Sequence, residues 1–278
     1  MRPVIVVLCI AVAFVAQAET SPPTKVLARV ALLSDPHVNG ATNGNEAAFK
    51  ARFQKTIAQV NDAKVDVVLI AGDLTQSGLP QEFMDFKNHI KALHAPVYFV
   101  PGNHDVGHKF NSGKTNGTVT PGRVETYERA LGPSWFVKKK AGLRILGINS
   151  SLLGSSFLQE EQMWTFLERE LAQPARQQTI LFMHYPLFLK TLDEPGGDYF
   201  NTEPEPRMRL YNLLKQAGVK IVLTGHLHHP LINRRDGILF LTTLPVSFGL
   251  PAGKQAEGWT LVTVFRNGDA KEEFHTIQ

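Results

Sequence analysis

The stretch VYFVPGNHD, residues 97–105, sets the pattern from which the rest of the chain is read. A short Val-rich run bounded by turn residues has the signature of a strand buried on both faces. Pro101 and Gly102 end the run. Asn103, His104 and Asp105 then follow, three side chains that can ligate a cation or move a proton. The same arrangement recurs on either side. Residues 26–34 run apolar into Asp35-Pro36-His37, and 65–71 into Gly72-Asp73. Residues 178–183 run into His184, and 219–224 into Gly225-His226-Leu227-His228. Between these strands, apolar spacing predicts helices over 45–63 (Phe49, Phe53, Ile57, Val60) and 79–93 (Phe83, Phe86, Ile90, Leu93). Further helices are predicted over 124–131, 159–171 and 208–217, and a strand over 143–149. The tail beyond His228 reads as strands at 231–235, 238–243, 259–265 and 272–277, joined by turns such as Asp236-Gly237 and Asn267-Gly268. Strand–helix alternation predicts an α/β domain with a largely buried sheet, and the strand-rich tail predicts that the sheet is mixed or doubled.

Composition narrows the function. The 278 residues carry 29 Lys plus Arg against 25 Asp plus Glu, a formal charge of +4, and are 43% hydrophobic. This excludes a disordered chain. The small surplus, with no basic run longer than Lys138-Lys139-Lys140, gives no warrant for stable nucleic-acid binding. Residues 1–18, MRPVIVVLCIAVAFVAQA, pair an early arginine with an apolar run and a small-x-small ending at Ala16-Gln17-Ala18, which predicts a signal peptide and an exported (periplasmic or secreted) mature domain over 19–278. The apolar run is shorter than a comfortable bilayer span, and no second membrane segment is expected. The single cysteine, Cys9, lies inside this leader, so any metal site must draw on His, Asn and carboxylates.

Residues at the carboxyl ends of buried strands converge on one edge of an open α/β sheet, and ligand sites form there. Taken singly the pieces are weak: Gly-Asp after a strand is ordinarily a turn, and a lone histidine is ordinarily a satisfied polar residue. Five such ends in one chain, contributing Asp35, His37, Asp73, Asn103, His104, His184, His226 and His228, point to a metal centre instead.

In their order, Asp35-x-His37, Gly72-Asp73, Gly102-Asn103-His104-Asp105, His184 and Gly225-His226-x-His228 resemble the signature of the calcineurin-like metallophosphoesterases, over about residues 28–265. A closer resemblance is to the single-domain, serine/threonine-phosphatase-like branch, carried by VPGNHDVG at 100–107, His184-x-Pro-Leu-Phe-Leu, Tyr199-Phe200-Asn201 and Ala217-Gly218-Val219-Lys220. The resemblance implies a single domain built as a two-sheet β-sandwich flanked by helices. It implies one cation on Asp35, His37, Asp73 and His228 and a second on Asp73, Asn103, His184 and His226, with Asp73 bridging. It further implies hydrolysis of a phosphoester by a metal-bridging hydroxide attacking in line, His104 assisting the leaving group, and Asp105 orienting His104 as a second catalytic residue. Mixed imidazole, amide and carboxylate donors suit Mn, Fe or Zn. Leu74-Thr75-Gln76 after Asp73 departs from the tyrosine-ligated purple acid phosphatases.

The long segments 106–122 and 187–206 are expected to be loops flanking the metals. Asp193, Glu194 and Asp198 read as solvated loop acids, and Lys190 and Arg207 stand at the margins without a clear phosphate-gripping role. His108 and Asn39 are candidate substrate contacts, His229 a rim residue, and Tyr199 and Phe200 either stack on substrate or pin the loop. A phosphomonoester, small-molecule or protein-borne, is favoured as substrate over a diester such as a cyclic nucleotide or glycerophosphodiester. A non-catalytic relic would be expected to have lost His104 or a ligand, and here all are present.

Overall fold

The computed structural model describes residues 25–40, 46–113, 117–172 and 177–277. The expected signal peptide, residues 1–18, lies outside the described residues. In chain order the elements are β1 (Val26–Leu33), α1 (Glu46–Asp62), β2 (Val67–Ala71), α2 (Pro80–Ile90), β3 (Val97–Val100), the single turn α3 (Asn103–Val106), α4 (Pro121–Leu131), β4 (Phe136–Lys140), β5 (Leu143–Gly147), α5 (Leu158–Leu171), β6 (Gln178–Phe182), α6 (Pro204–Gln216), β7 (Ile221–Thr224), β8 (Leu231–Arg235), β9 (Ile238–Thr242), β10 (Gly258–Phe265) and β11 (Ala270–Thr276). Every strand and helix expected from the sequence is present, within a few residues at its ends. The sequence reading missed β4, which pairs antiparallel with β5. Its sequence FVKKK has two apolar residues and then exposed lysines, so it carries neither a buried run nor a full alternation. Lysines on an edge strand of this kind discourage pairing with a second chain.

The sheet is doubled. One sheet has the order β11-β10-β1-β2-β3 and the other β4-β5-β6-β7-β9-β8. Both are mixed: β1, β2 and β3 run parallel, as do β5, β6, β7 and β9, with antiparallel strands added at the margins. The period of two along each strand makes the sandwich. Ala28, Val30 and Leu32 of β1, with Val67 and Leu69 of β2, share one buried cluster with Leu143 and Ile145 of β5, Ile180 and Phe182 of β6, and Leu239 and Leu241 of β9. The intervening residues (Ala31 and Leu33, Val68 and Ile70, Leu181, Val222) belong to a second cluster with Phe53 and Ile57 of α1, Phe83 and Phe86 of α2, Leu167 of α5, and Leu210 and Leu214 of α6. Strands covered on both faces explain the unbroken apolar runs of the sequence. Among the described residues no helix is long and apolar enough to cross a membrane.

Candidate metal centre

The loops leaving β1, β2, β3, β6 and β7 meet at one end of the sandwich. They are stitched by backbone hydrogen bonds, Asp35 N–H to Gly72 O and His37 N–H to Asp73 O (both 3.0 Å), and Gly225 N–H to His184 O (3.0 Å). Two glycines allow the loops to approach this closely. A Cβ on Gly102 would collide with the backbone nitrogen and carboxylate of Asp73, and one on Gly225 with the hydroxyl of Ser34.

Two buried donor groups result. Asp35, His37, Asp73 and His228 bring one ligand atom each within 4.8 Å of one another, and so do Asp73, His184 and His226. Asp73 belongs to both. Its Oδ2 lies 3.6 Å from His37 Nε2 and 3.3 Å from His184 Nε2, while its Oδ1 accepts from the His104 backbone N–H at 2.8 Å. Asn103 joins the second group, with Oδ1 3.0 Å from His184 Nε2. The structure therefore gathers every expected ligand.

Each imidazole has one nitrogen committed to an oxygen outside the cluster. His37 Nδ1 faces Gln76 Oε1 (3.1 Å), His184 Nδ1 faces Ala71 O (2.8 Å), His228 Nδ1 faces Phe248 O (2.6 Å) and His226 Nε2 faces Tyr199 O (3.2 Å). Donation to these oxygens leaves the opposite nitrogen of each ring facing inward, the nitrogen through which the neutral ring binds metal. The inward nitrogens crowd one another, 3.3 Å between His37 and His228 and 3.1 Å between His226 and His184. Asp35 Oδ1 is buried without a hydrogen bond, 3.5 Å from His228 Nε2.

The electrostatics point the same way. Burial pulls the His184 imidazole down, but Asp73 and then Asp35 overcome it and hold the ring up at about 9. Burial chiefly keeps His37 and His226 well below the ordinary histidine value. Burial would raise Asp73, yet His184 and His104 hold it well below the usual carboxylate range. Two buried carboxylates thus draw positive charge into the cluster, here a proton on His184, and crowded imidazole nitrogens with an orphaned carboxylate oxygen fit a pair of divalent cations in its place.

His104 is half-buried beside this cluster, its ring 4.6 Å from that of His37. Its Nδ1 donates to Gln76 O at 2.6 Å. That corrects the expected role of Asp105, whose carboxylate is taken up by Gly102 N–H (2.8 Å), Leu74 N–H (3.0 Å), Thr75 N–H (2.9 Å) and the Thr75 hydroxyl (2.8 Å). Asp105 clips the loop after β2 to the loop after β3, and the Gln76 carbonyl orients His104. Burial, and then the charge of Asp73, push the Asp105 carboxyl up to about 6. Asn39 donates its amide to Asp85 at 2.8 Å, so that group is already engaged on the α2 side. His108 lies near the cluster, its ring 6.4 Å from His104 and 5.4 Å from Tyr199. Arg207 is fully buried among carbonyls of its own loop and is no phosphate grip. The sequence reading did not find Gln76 or Phe248. Gln76 lies three positions beyond Asp73, but Phe248 acts through a carbonyl, which no side-chain pattern reveals.

Comparison with known proteins bears on the fold and the family. The fold superposes on a dimetal phosphatase from Danio rerio with a TM-score of 0.61, over 91% of this chain and 97% of that one, at 10% identity. The chain is 30% identical to the Serine/threonine-protein phosphatase CPPED1 of Danio rerio over 72% of its length, and covers 65% of that relative, just under two thirds. It is 28% identical to the Probable glycerophosphodiester phosphodiesterase GpdQ of Arcobacter nitrofigilis, over 77% of this chain and 76% of the relative. Residues 28–230 match the family model described as calcineurin-like phosphoesterase. That span opens within β1 and closes just past His228, so it contains every donor described above, and the chain belongs to the calcineurin-like phosphoesterase family.

Proposed function

We propose that the protein is an exported hydrolase of phosphate esters working with two divalent cations, and that its preferred substrate is a phosphomonoester. The carrying observation is that Asp73 belongs to two buried donor groups at once. Asp35, His37, Asp73 and His228 hold one cation, and Asp73, Asn103, His184 and His226 the other. Such a pair supplies Lewis acidity for an in-line displacement at phosphorus, with Mn, Fe and Zn all suited to these donors. The chain itself supplies His104. With Nδ1–H held by the Gln76 carbonyl, the imidazolium carries its second proton on Nε2 and gives it to the leaving oxygen. His108, beside His104 and Tyr199, contributes to the rim where the ester group enters.

The name and similarity of CPPED1 support the monoester reading. A diester reading is supported by the likeness to GpdQ, which extends over three quarters of both chains. Rates on an aryl phosphate monoester and its bis-aryl diester, measured in parallel with saturating Mn, separate them: the monoester reading requires the larger kcat/KM on the monoester. Asp73→Asn abolishes hydrolysis and lowers the metal content of the isolated protein, measured by elemental analysis. Full activity in that variant at saturating Mn would sink the two-cation reading. Export is supported by residues 1–18, and N-terminal sequencing of the mature protein is expected to begin at Glu19.

A further inference from the structure

We propose that Tyr199, on the segment between β6 and α6, is a positioning residue for the second cation, acting on two of its donors; this rests on the two-cation reading above. The Tyr199 hydroxyl accepts from Asn103 Nδ2 at 3.3 Å. That fixes which way the amide faces and turns Oδ1 toward His184, 3.0 Å away. The Tyr199 carbonyl accepts from His226 Nε2 at 3.2 Å and leaves His226 Nδ1 facing the cluster. The phenol ring packs 4.9 Å from the His226 ring. One loop residue thus sets an amide at the start of α3 and an imidazole in the loop after β7.

The two cation sites are supported unequally as a result. The outer partners of the first group are Gln76, just after β2, and Phe248, between β9 and β10, with His37 further tied by its backbone to Asp73. In the second group, only His184 is held by a strand-end oxygen, that of Ala71. The loop carrying Tyr199 is built to stay in place. Thr202 N–H donates to Pro186 O at 3.0 Å and closes its neck. An ion pair between the buried Lys109 and the partly buried Glu203 ties it to the loop after α3. Groups outside the ligand shell that orient ligands ordinarily contribute about 10–100-fold to metal affinity, and here that contribution falls on one site of the pair.

The test is a titration of metal-free protein with Mn(II), followed by calorimetry and by electron paramagnetic resonance of the spin-coupled pair. In Tyr199→Phe, which keeps the ring and the carbonyl, the tighter constant is expected to stay at the wild-type value. The weaker one rises about 10-fold, the coupled signal appears only at correspondingly higher free Mn, and kcat recovers there. In an Asn103→Ala background the same substitution has no further effect on the weaker constant, because the hydroxyl acts through that amide. Unchanged constants in Tyr199→Phe, or equal weakening of both, would overturn the proposal while leaving the two-cation reading intact. Wild-type protein that takes up fewer than two Mn overturns the reading and this proposal with it.

Discussion

Five of the donor residues occupy left-handed backbone: Asp35 (φ 54°), His37 (43°), Asp73 (49°), His226 (73°) and His228 (56°). Non-glycine residues there are strained by about 1–2 kcal/mol each, and such strain gathers where function over-determines the conformation. Asp and His tolerate the region better than most residues, so the choice of donors and the sharpness of the turns are compatible. The glycines beside them have no such latitude. Gly102→Ala is expected to displace the Asp73 carboxylate, abolish binding of both cations and destabilise the metal-free protein by about 1–3 kcal/mol, measured by calorimetry and denaturant unfolding. Gly122→Ala, where an added Cβ meets nothing within 4 Å, serves as the silent control. His104→Ala is expected to lower kcat by about 10²–10⁴-fold with metal content unchanged. Parallel loss of metal would reassign His104 to a structural role.

At the scale of elements, the segment between β6 and α6 turned out to be a fastened rim. Glu194, expected as a solvated acid, accepts from the backbone of Leu189 (2.7 Å) and Lys190 (2.9 Å) and from the amide of Asn201. Arg207, fully buried, donates to Thr202 O (2.7 and 3.0 Å), Leu192 O (3.0 Å) and Glu194 O (2.6 Å). Removing its guanidinium strands those carbonyls, so Arg207→Met is expected to cost at least about 2 kcal/mol in denaturant unfolding. Burial would raise the Glu194 carboxyl, but the Lys190 and Leu189 N–H groups and the Asn201 amide hold it below the ordinary glutamate value of 4.5. Its contribution is therefore complete above pH 4.5 and is lost as pH falls through the depressed folded value. Hydrogen exchange at residues 189–191 should accelerate over that acid range, and Glu194→Gln should remove the step. None of this was legible beforehand, because loop acids and margin arginines look alike in sequence whether solvated or buried.

For the whole molecule, the two-sheet arrangement brings β1–β3 from one sheet and β6–β7 from the other to a common end, so donors from both sheets close one cluster. The formal charge of +4 on the chain says little about that cluster. Its buried carboxylates and inward imidazole nitrogens create a local demand for cations that surface charges do not meet. Metal removal should therefore lower the Tm of the entire domain. Occupancy of one site at 100 times its Kd is worth about 2.7 kcal/mol, so a chelator should shift the melting curve down and added Mn should restore it together with activity. A melting curve indifferent to chelator and to Mn would argue against cations at the cluster.

Strand ends, helix faces and the identity of every candidate donor were legible in the chain itself, because buried runs, helical spacing and turn chemistry are local properties set by near neighbours. The edge strand β4 escaped since its lysines follow no core-facing period. Tertiary structure alone decided how the donors are held: Gln76 rather than Asp105 behind His104, Phe248 behind His228, Tyr199 behind both Asn103 and His226. Those pairings join positions as far apart as 96 residues, and the donors they hold meet across as many as 193, from Asp35 to His228. Contacts of that separation exist only once the sheets have packed, and several run through backbone carbonyls that every residue possesses and no sequence pattern distinguishes.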